Sequence, residues 1–361
     1  MPSALSEMAL ARIRQLSAHE VGHTLGLGHN YYASTMGRIS VLDYPHPLIT
    51  IDDDGDLDLS DAYDVGSGEW DKGAIRYGYQ DFPQGTDEPT LLEQILDQAW
   101  ERDLLYLTNQ DLDANPRVHQ WANGVDPAVE LERMLSVRRA ALDDFGEAAI
   151  RRDMPLATME EAFVPLYLHH RFQIDAAASA IGGMHYIYAM RGDGREPVEA
   201  VSAAEQRAAL DALMRTISPR ELAVPNDVLD RLPPRPAGFG RHRELFPRYT
   251  GLMFDPISPA VVAADHTVGM ILRSDRAARM VTQHAVNSTL PSLNEVLDTL
   301  IAASFDHTPE SSYEAELGRA VERVVVARIT QLAGSATMPQ VRAVASLELK
   351  QLAYRLERDA G

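Results

Sequence analysis

Residues 19–29 run His19, Glu20, Val21, Gly22, His23, Thr24, Leu25, Gly26, Leu27, Gly28, His29. On a helix, His19 and His23 stand one turn apart on the same face, so both imidazoles can reach one metal ion. Glu20 is rotated away around the helix and can sit beside a water on that ion without being a ligand. Gly26 tolerates backbone angles that other residues avoid, and a sharp turn there brings His29 back as a third ligand. Three protein ligands with a fourth position open is the arrangement of a catalytic zinc site, where the pKa of a bound water falls towards neutrality. Glu20 would take that water's proton as it attacks a peptide carbonyl and pass it to the leaving amine. The competing reading is an amphipathic helix carrying unrelated histidines. Chance spacing of five specified residues, three of them rare, is expected at a rate on the order of one in ten thousand for a chain of this length.

The elements that must position these groups follow from periodicity. Leu5, Met8, Ile13 and Leu16 recur at helical spacing ahead of His19 and His23, predicting one helix over 3–27. Residues 30–85 are richer in turns. The stretch 48–59, with Gly55 at its centre, predicts a β-hairpin, and a short helix is expected over 69–77. From residue 88 the pattern becomes almost wholly helical. A helix is expected over 90–107, and Asp126 with Pro127 opens the next one. Ser or Thr followed three residues later by Glu marks five further helix starts: Thr158 and Glu161, Ser202 and Glu205, Ser218 and Glu221, Ser292 and Glu295, Ser311 and Glu314. Residues 231–259 are rich in Pro and Gly and locally basic, and read as a long structural loop rather than a binding patch. The fold class is therefore α-rich (α+β). Residues 1–87 are expected to carry the active-site helix and the hairpin, and 88–361 a large all-helical domain.

Composition narrows the partners. The 361 residues include 53 Asp plus Glu against 33 Lys plus Arg, a net charge of -20. Nucleic acid, which needs a basic surface, is excluded as a partner, as is electrostatic docking on an anionic membrane. The absence of cysteine excludes disulfides and thiolate ligands, so a metal must be held by nitrogen and oxygen. No apolar run reaches the length of a membrane span, and residues 1–16 have no apolar core typical of a signal peptide. Asp52, Asp53, Asp54, Asp56, Asp58 and Asp61 raise calcium as a second metal, but they miss the EF-hand spacing and read more simply as a solvated hairpin tip. His169, His170 and His185 have no ligand spacing to a partner and read as packing or surface residues. A turn is expected at 121–124.

The 19–29 motif, the stretch SVLDYP at 40–45, the stretch LSDAYDVGSGEWDKGAIRYGY that follows, and later segments such as PLATMEEAFVPLYLHHRFQ and GFGRHRELFP together resemble the bacterial zinc-dependent metalloproteases of the Met-zincin family. The resemblance covers essentially the whole chain. It implies a metzincin-like, HExxHxxGxxH zinc peptidase with Zn2+ on His19, His23 and His29, Glu20 as general base, and a peptide or protein substrate. It also implies a Met-turn beneath the metal. Here Leu42 stands where that turn has methionine, a swap of similar apolar volume. Tyr44, two residues on, takes the position of a tyrosine that assists the oxyanion in related enzymes. A packed turn tyrosine is the alternative. Members of the family are usually exported, to the periplasm or beyond the cell, and are longer ahead of the active-site helix. Only 18 residues precede His19. The expectation is a truncated form whose upstream substrate-binding sheet is missing. Two functions stay open: a zinc metallopeptidase, or a zinc-binding but inactive module with a helical interaction domain.

Overall fold

The computed structural model describes residues 3–121 and 123–360. The turn expected at 121–124 includes Ala122, which lies outside the described residues. The chain forms two compact units. One comprises the described residues up to Glu130 together with His185–Glu199, and the other comprises Leu131–Met184 and residues from Ala200 onwards.

In the first unit, helix α1 spans Ser3–Thr24, three residues short of the expected end. Its last turn closes with paired bonds from Gly26 N–H to His23 O at 3.0 Å and from Leu27 N–H to Gly22 O at 3.1 Å, and Gly26 has φ +83°. This is the left-handed helix stop that glycine favours, and it ends the helix before the periodic pattern runs out. The hairpin forms as expected: β1 (Thr50–Ile51) pairs antiparallel with β2 (Leu57–Asp58), and Gly55 turns at φ +90°. At its tip, Asp52 Oδ1 accepts the N–H groups of Asp54 and Asp56 at 3.0 and 2.9 Å. The tip aspartate thus bonds its own turn.

Helix α2 (Glu69–Tyr79) packs against α3 (Glu88–Glu101). Beyond α3 the expected helix over 90–107 is cut short. Asp103 adopts φ +55°, which a helix cannot accommodate, and residues 104–107 carry no regular secondary structure. They dock on the segment after His29, with Tyr31 N–H bonded to Leu107 O at 2.9 Å. Tyr31, Tyr32, Leu107 and Val118 form the small buried cluster at this junction. Residues 88–130 thus fall in the same compact unit as the segment that carries His19, His23 and His29. The excursion 185–199 docks here as well: the Tyr186 and Tyr188 hydroxyls both donate to Asp111 Oδ1, and the Arg195 guanidinium lies 3.6 Å over the Trp100 ring.

Helix α4 (Pro127–Asp143) starts at Asp126, whose Oδ1 accepts Ala128 N–H at 2.9 Å. Helices α5 (Met159–Tyr167) and α6 (Arg171–Ala180) precede a pair of strands the periodicity did not announce, β3 (Met184–Tyr186) and β4 (Val198–Ala200). Then come α7 (Ala203–Thr216), α8 (Pro219–Leu222), α9 (Asn226–Leu229), α10 (Ser258–Ile271), α11 (Ser274–Val286), α12 (Leu293–Phe305), α13 (Ser312–Ser335) and α14 (Pro339–Ala360).

The second unit is built around α13. Leu317, Val321, Val325, Ile329 and Leu332 form its buried stripe, and α10, α12 and α14 pack on it. Ser202, Ser218, Ser292 and Ser311 each accept the N–H three residues on, as their spacing predicts. Thr158 does not cap: a preceding 3₁₀ turn puts it in helical conformation, and its hydroxyl bonds back to Pro155 O at 2.8 Å. The basic stretch is irregular from residue 231 to the start of α10 at Ser258; Arg231 and Arg243 are exposed, whereas two other arginines turn inward. Arg235 pairs with Glu161 and Arg241 with Glu160. His170 is buried, with its imidazole held well below the ordinary 6.5 by burial. Among the described residues no helix is long and apolar enough to cross a membrane.

Candidate metal centre

Each of the first two histidines is oriented by a backbone carbonyl. His19, only 2% exposed, bonds Val41 O through Nδ1 at 2.8 Å, and His23 bonds Leu27 O through Nδ1 at 2.9 Å. A carbonyl only accepts, so both Nδ1 atoms carry the proton and both Nε2 atoms present a lone pair. Those lone pairs converge. His23 Nε2 lies 3.0 Å from His19 Nε2 and 3.2 Å from His29 Nε2, and one ligand atom from each of the three rings lies within 4.8 Å of the others. Unprotonated nitrogens this close repel unless a cation lies between them. Nitrogens held tetrahedrally at zinc distances would be about 3.3 Å apart, so the donor set fits a small divalent metal. Burial, and then the neighbouring His19 and His23, hold the His29 imidazole below its ordinary value, which favours the neutral ligand form.

The stop at Gly26 delivers His29, and the chain after it is tied down at once. Asn30 N–H donates to Leu42 O at 2.8 Å, and its side-chain amide donates to Leu105 O at 2.9 Å. Leu42 is fully buried against the helix. A Cβ added at Gly22, between His19 and His23, would lie 2.7 Å from Leu42 Cδ2. Gly22 thus allows the leucine to seat directly on the helix face between the two histidines.

The turn carrying Leu42 is clamped from α2. Asp71, buried in the first turn of that helix, accepts the Ser40 hydroxyl at 2.5 Å, Val41 N–H at 2.9 Å and Gly68 N–H at 2.7 Å. Gly68 itself lies so close to the Ile39 carbonyl that any Cβ would overlap it. Asp43 fixes the other end of the turn, accepting Tyr44 N–H at 2.6 Å and both the N–H and the hydroxyl of Ser34.

Tyr44 stacks on the His19 ring at 5.3 Å and lies 4.6 Å from the His29 ring, with Trp121 stacked behind it at 5.5 Å. Tyr31 stacks on His29 from another side, and burial pushes its hydroxyl up to about 12, so it stays protonated. Glu20 is exposed, and its charge acts on His29. Asp71, Asp43 and Asn30 were not singled out from sequence. Asp71 carried a signal, an acidic residue three places after a glycine at a helix start, but its partners lie 30 residues away.

The Met-zincin family profile matches residues 2–312. The chain belongs to the Met-zincin family. No curated protein and no solved structure matches it. The match takes in the histidine triad of this Met-zincin and its helices through α12, and it ends where α13 begins.

Proposed function

We propose that this chain is a zinc-dependent metallopeptidase, with His19, His23 and His29 as ligands and a peptide or protein as substrate. The observation that carries this reading is the convergence of the three Nε2 atoms, two of them fixed in the ligating tautomer by carbonyls on their Nδ1 sides. A zinc ion on these nitrogens would supply Lewis-acid polarisation of a carbonyl and acidification of a water.

The rest falls to the chain's own groups. Glu20, which follows His19 directly, would hold a proton taken from water on its carboxylate and return it to the leaving amine. Tyr44, stacked against two ligand rings, offers a hydroxyl as hydrogen-bond donor to negative charge developing on the substrate oxygen. Leu42 is the apolar floor in the Met-turn position. Val41, held by Asp71, keeps the His19 ring from rotating. The family resemblance also supports export from the cell.

One observation favours a second reading, a metal-binding module without hydrolysis. Among the described residues the strands are only two or three residues long, too short to align an extended peptide by backbone pairing. Metal analysis separates these readings from a site that holds no metal. One zinc per chain is expected, lost on His19→Ala, His23→Ala or His29→Ala. Chelator-sensitive cleavage of unstructured peptides supports the peptidase. Stoichiometric zinc without cleavage supports the module, and a well-folded chain that takes up no zinc contradicts both.

A further inference from the structure

The three ligand rings are not held alike. His19 and His23 each donate Nδ1–H to a backbone carbonyl, of Val41 and of Leu27. For His29 no such bond forms: among the described residues its ring nitrogens meet the protein only where Nε2 lies 3.2 Å from His23 Nε2. A bond to the second ring nitrogen is the usual way a ligating imidazole is oriented. A ring without one must be ordered as the metal binds, and that ordering weakens binding.

A flat surface stands where the hydrogen bond is missing. The Tyr31 ring, two residues on, lies within 24° of parallel to the His29 ring, with centroids 5.3 Å apart. Tyr44 also touches His29, at 4.6 Å, but it is tilted by 58° and stacks instead on His19, whose ring Val41 already fixes.

Tyr31 is itself tied on both sides. Its N–H donates to Leu107 O at 2.9 Å, and its carbonyl accepts His119 N–H at 3.2 Å. Its side chain is 1% exposed and packs with Tyr32, Leu107 and Val118. Backbone bonds to two separate segments and close packing leave the ring no room to move aside. The hydroxyl has the Gln120 and Tyr44 side chains as polar neighbours, so the stack on His29 is made by the ring alone. An electron-rich aromatic face also suits an imidazole that carries part of a cation's charge.

We propose that Tyr31 is a positioning residue for the metal centre, holding the His29 ring by stacking as the Val41 and Leu27 carbonyls hold His19 and His23 by hydrogen bonds. This rests on the three histidines being the zinc ligands and is independent of hydrolysis.

The test uses the full chain with zinc or cobalt(II). It reads metal affinity by chelator competition, the cobalt absorption spectrum, and nuclear Overhauser contacts between labelled His and Tyr rings. Tyr31→Phe keeps the ring and should leave affinity and spectrum as in the wild type. Tyr31→Leu removes the ring and should lower affinity by about ten- to a hundredfold and shift the cobalt spectrum, with helix content retained. Val118→Ala, in the same buried cluster, separates loss of packing from loss of the stack. It should lower the thermal midpoint and leave affinity and spectrum unmoved. Contacts between the His29 and Tyr31 rings are expected in the zinc-loaded wild type, a readout that needs no variant to fold. The proposal is overturned by unchanged affinity in Tyr31→Leu, by an equal loss in Tyr31→Phe or Val118→Ala, or by absence of the ring contact. A wild type that takes up neither metal overturns the zinc-ligand reading and the proposal with it. Peptide cleavage is assayed in parallel. Affinity that follows the ring, with no cleavage by the zinc-loaded wild type, keeps the role of Tyr31 and overturns the peptidase reading. Cleavage by a wild type whose affinity Tyr31→Leu leaves unchanged does the reverse.

Discussion

Asp71 accepts the backbone N–H of Val41 at 2.9 Å, and Val41 in turn accepts the Nδ1–H of His19 at 2.8 Å. A carboxylate on α2 thereby sets the orientation of a ring on α1 through a single residue of the intervening turn. Because Asp71 also takes the Ser40 hydroxyl and Gly68 N–H, both of its oxygens are committed as acceptors. Asp71→Asn removes the negative charge and leaves a single carbonyl oxygen as acceptor, so the Ser40 hydroxyl or the two backbone N–H groups lose their acceptor. The expected result is zinc affinity lower by about ten- to a hundredfold with helix content retained, measured by competition with a chromophoric chelator. Unchanged affinity would mean that the turn is held without this carboxylate.

Leu42 and Gly22 form a matched pair. Leu42→Met should cost less than about 1.5 kcal/mol, since the volume is conserved, and should leave zinc affinity unchanged or slightly higher. Leu42→Ala should cost about 2–5 kcal/mol in urea denaturation, because the floor is fully buried. Gly22→Ala brings a Cβ to 2.7 Å from Leu42 Cδ2 and should displace it. The double variant should then lose less stability than the sum of the two singles, as the space left by one accepts the methyl of the other. Simple additivity would show that the two positions do not touch.

Asp43 gives a pH dependence whose sign is fixed. Burial pushes its carboxyl up to about 7 from 3.8, against the opposing hydrogen bonds from Ser34 and Tyr44. Between about pH 4 and 7 the unfolded chain has released this proton while the folded chain retains it, so the stabilising contribution falls as pH rises and levels off above that window. Asp43→Asn removes the titration. The stability of the wild type relative to the variant should therefore be greatest at about pH 4 and below and smaller at pH 8, measured by denaturation at each pH. A difference that is constant or grows with pH contradicts the buried, proton-holding state.

The ligand-bearing helix was legible in the sequence because everything it needs lies within residues 19–29: two histidines in register, a glycine to reverse the chain, and a third histidine just after. The hairpin around Gly55 and the helix starts at Ser202, Ser218, Ser292 and Ser311 were legible for the same reason, each being written in four to ten consecutive residues. Features joined across distance were not. Asp71 looked like an ordinary first-turn acid until Val41 was brought to it. Periodicity extends the third helix through 107, whereas the positive φ at Asp103 ends it and residues 104–107 brace Asn30 and Tyr31 instead. Residues 88–130 share a compact unit with the histidine segment although the periodicity changes near residue 88. The strands at Met184–Tyr186 and Val198–Ala200 are too short to leave a period-two signature.

In the proposed mechanism the three histidines hold zinc for hydrolysis and Glu20 moves the proton. Glu20→Gln tests it most directly, because this substitution removes a proton acceptor without removing a ligand. Zinc content and peptide cleavage are measured side by side for the wild type and the variant, each loaded under the same conditions. One zinc per chain is expected in both proteins, with chelator-sensitive cleavage by the wild type and cleavage reduced by about 10²–10⁴-fold in the variant. Equal cleavage by the two zinc-loaded proteins, or the absence of chelator-sensitive cleavage by the zinc-loaded wild type, would contradict it.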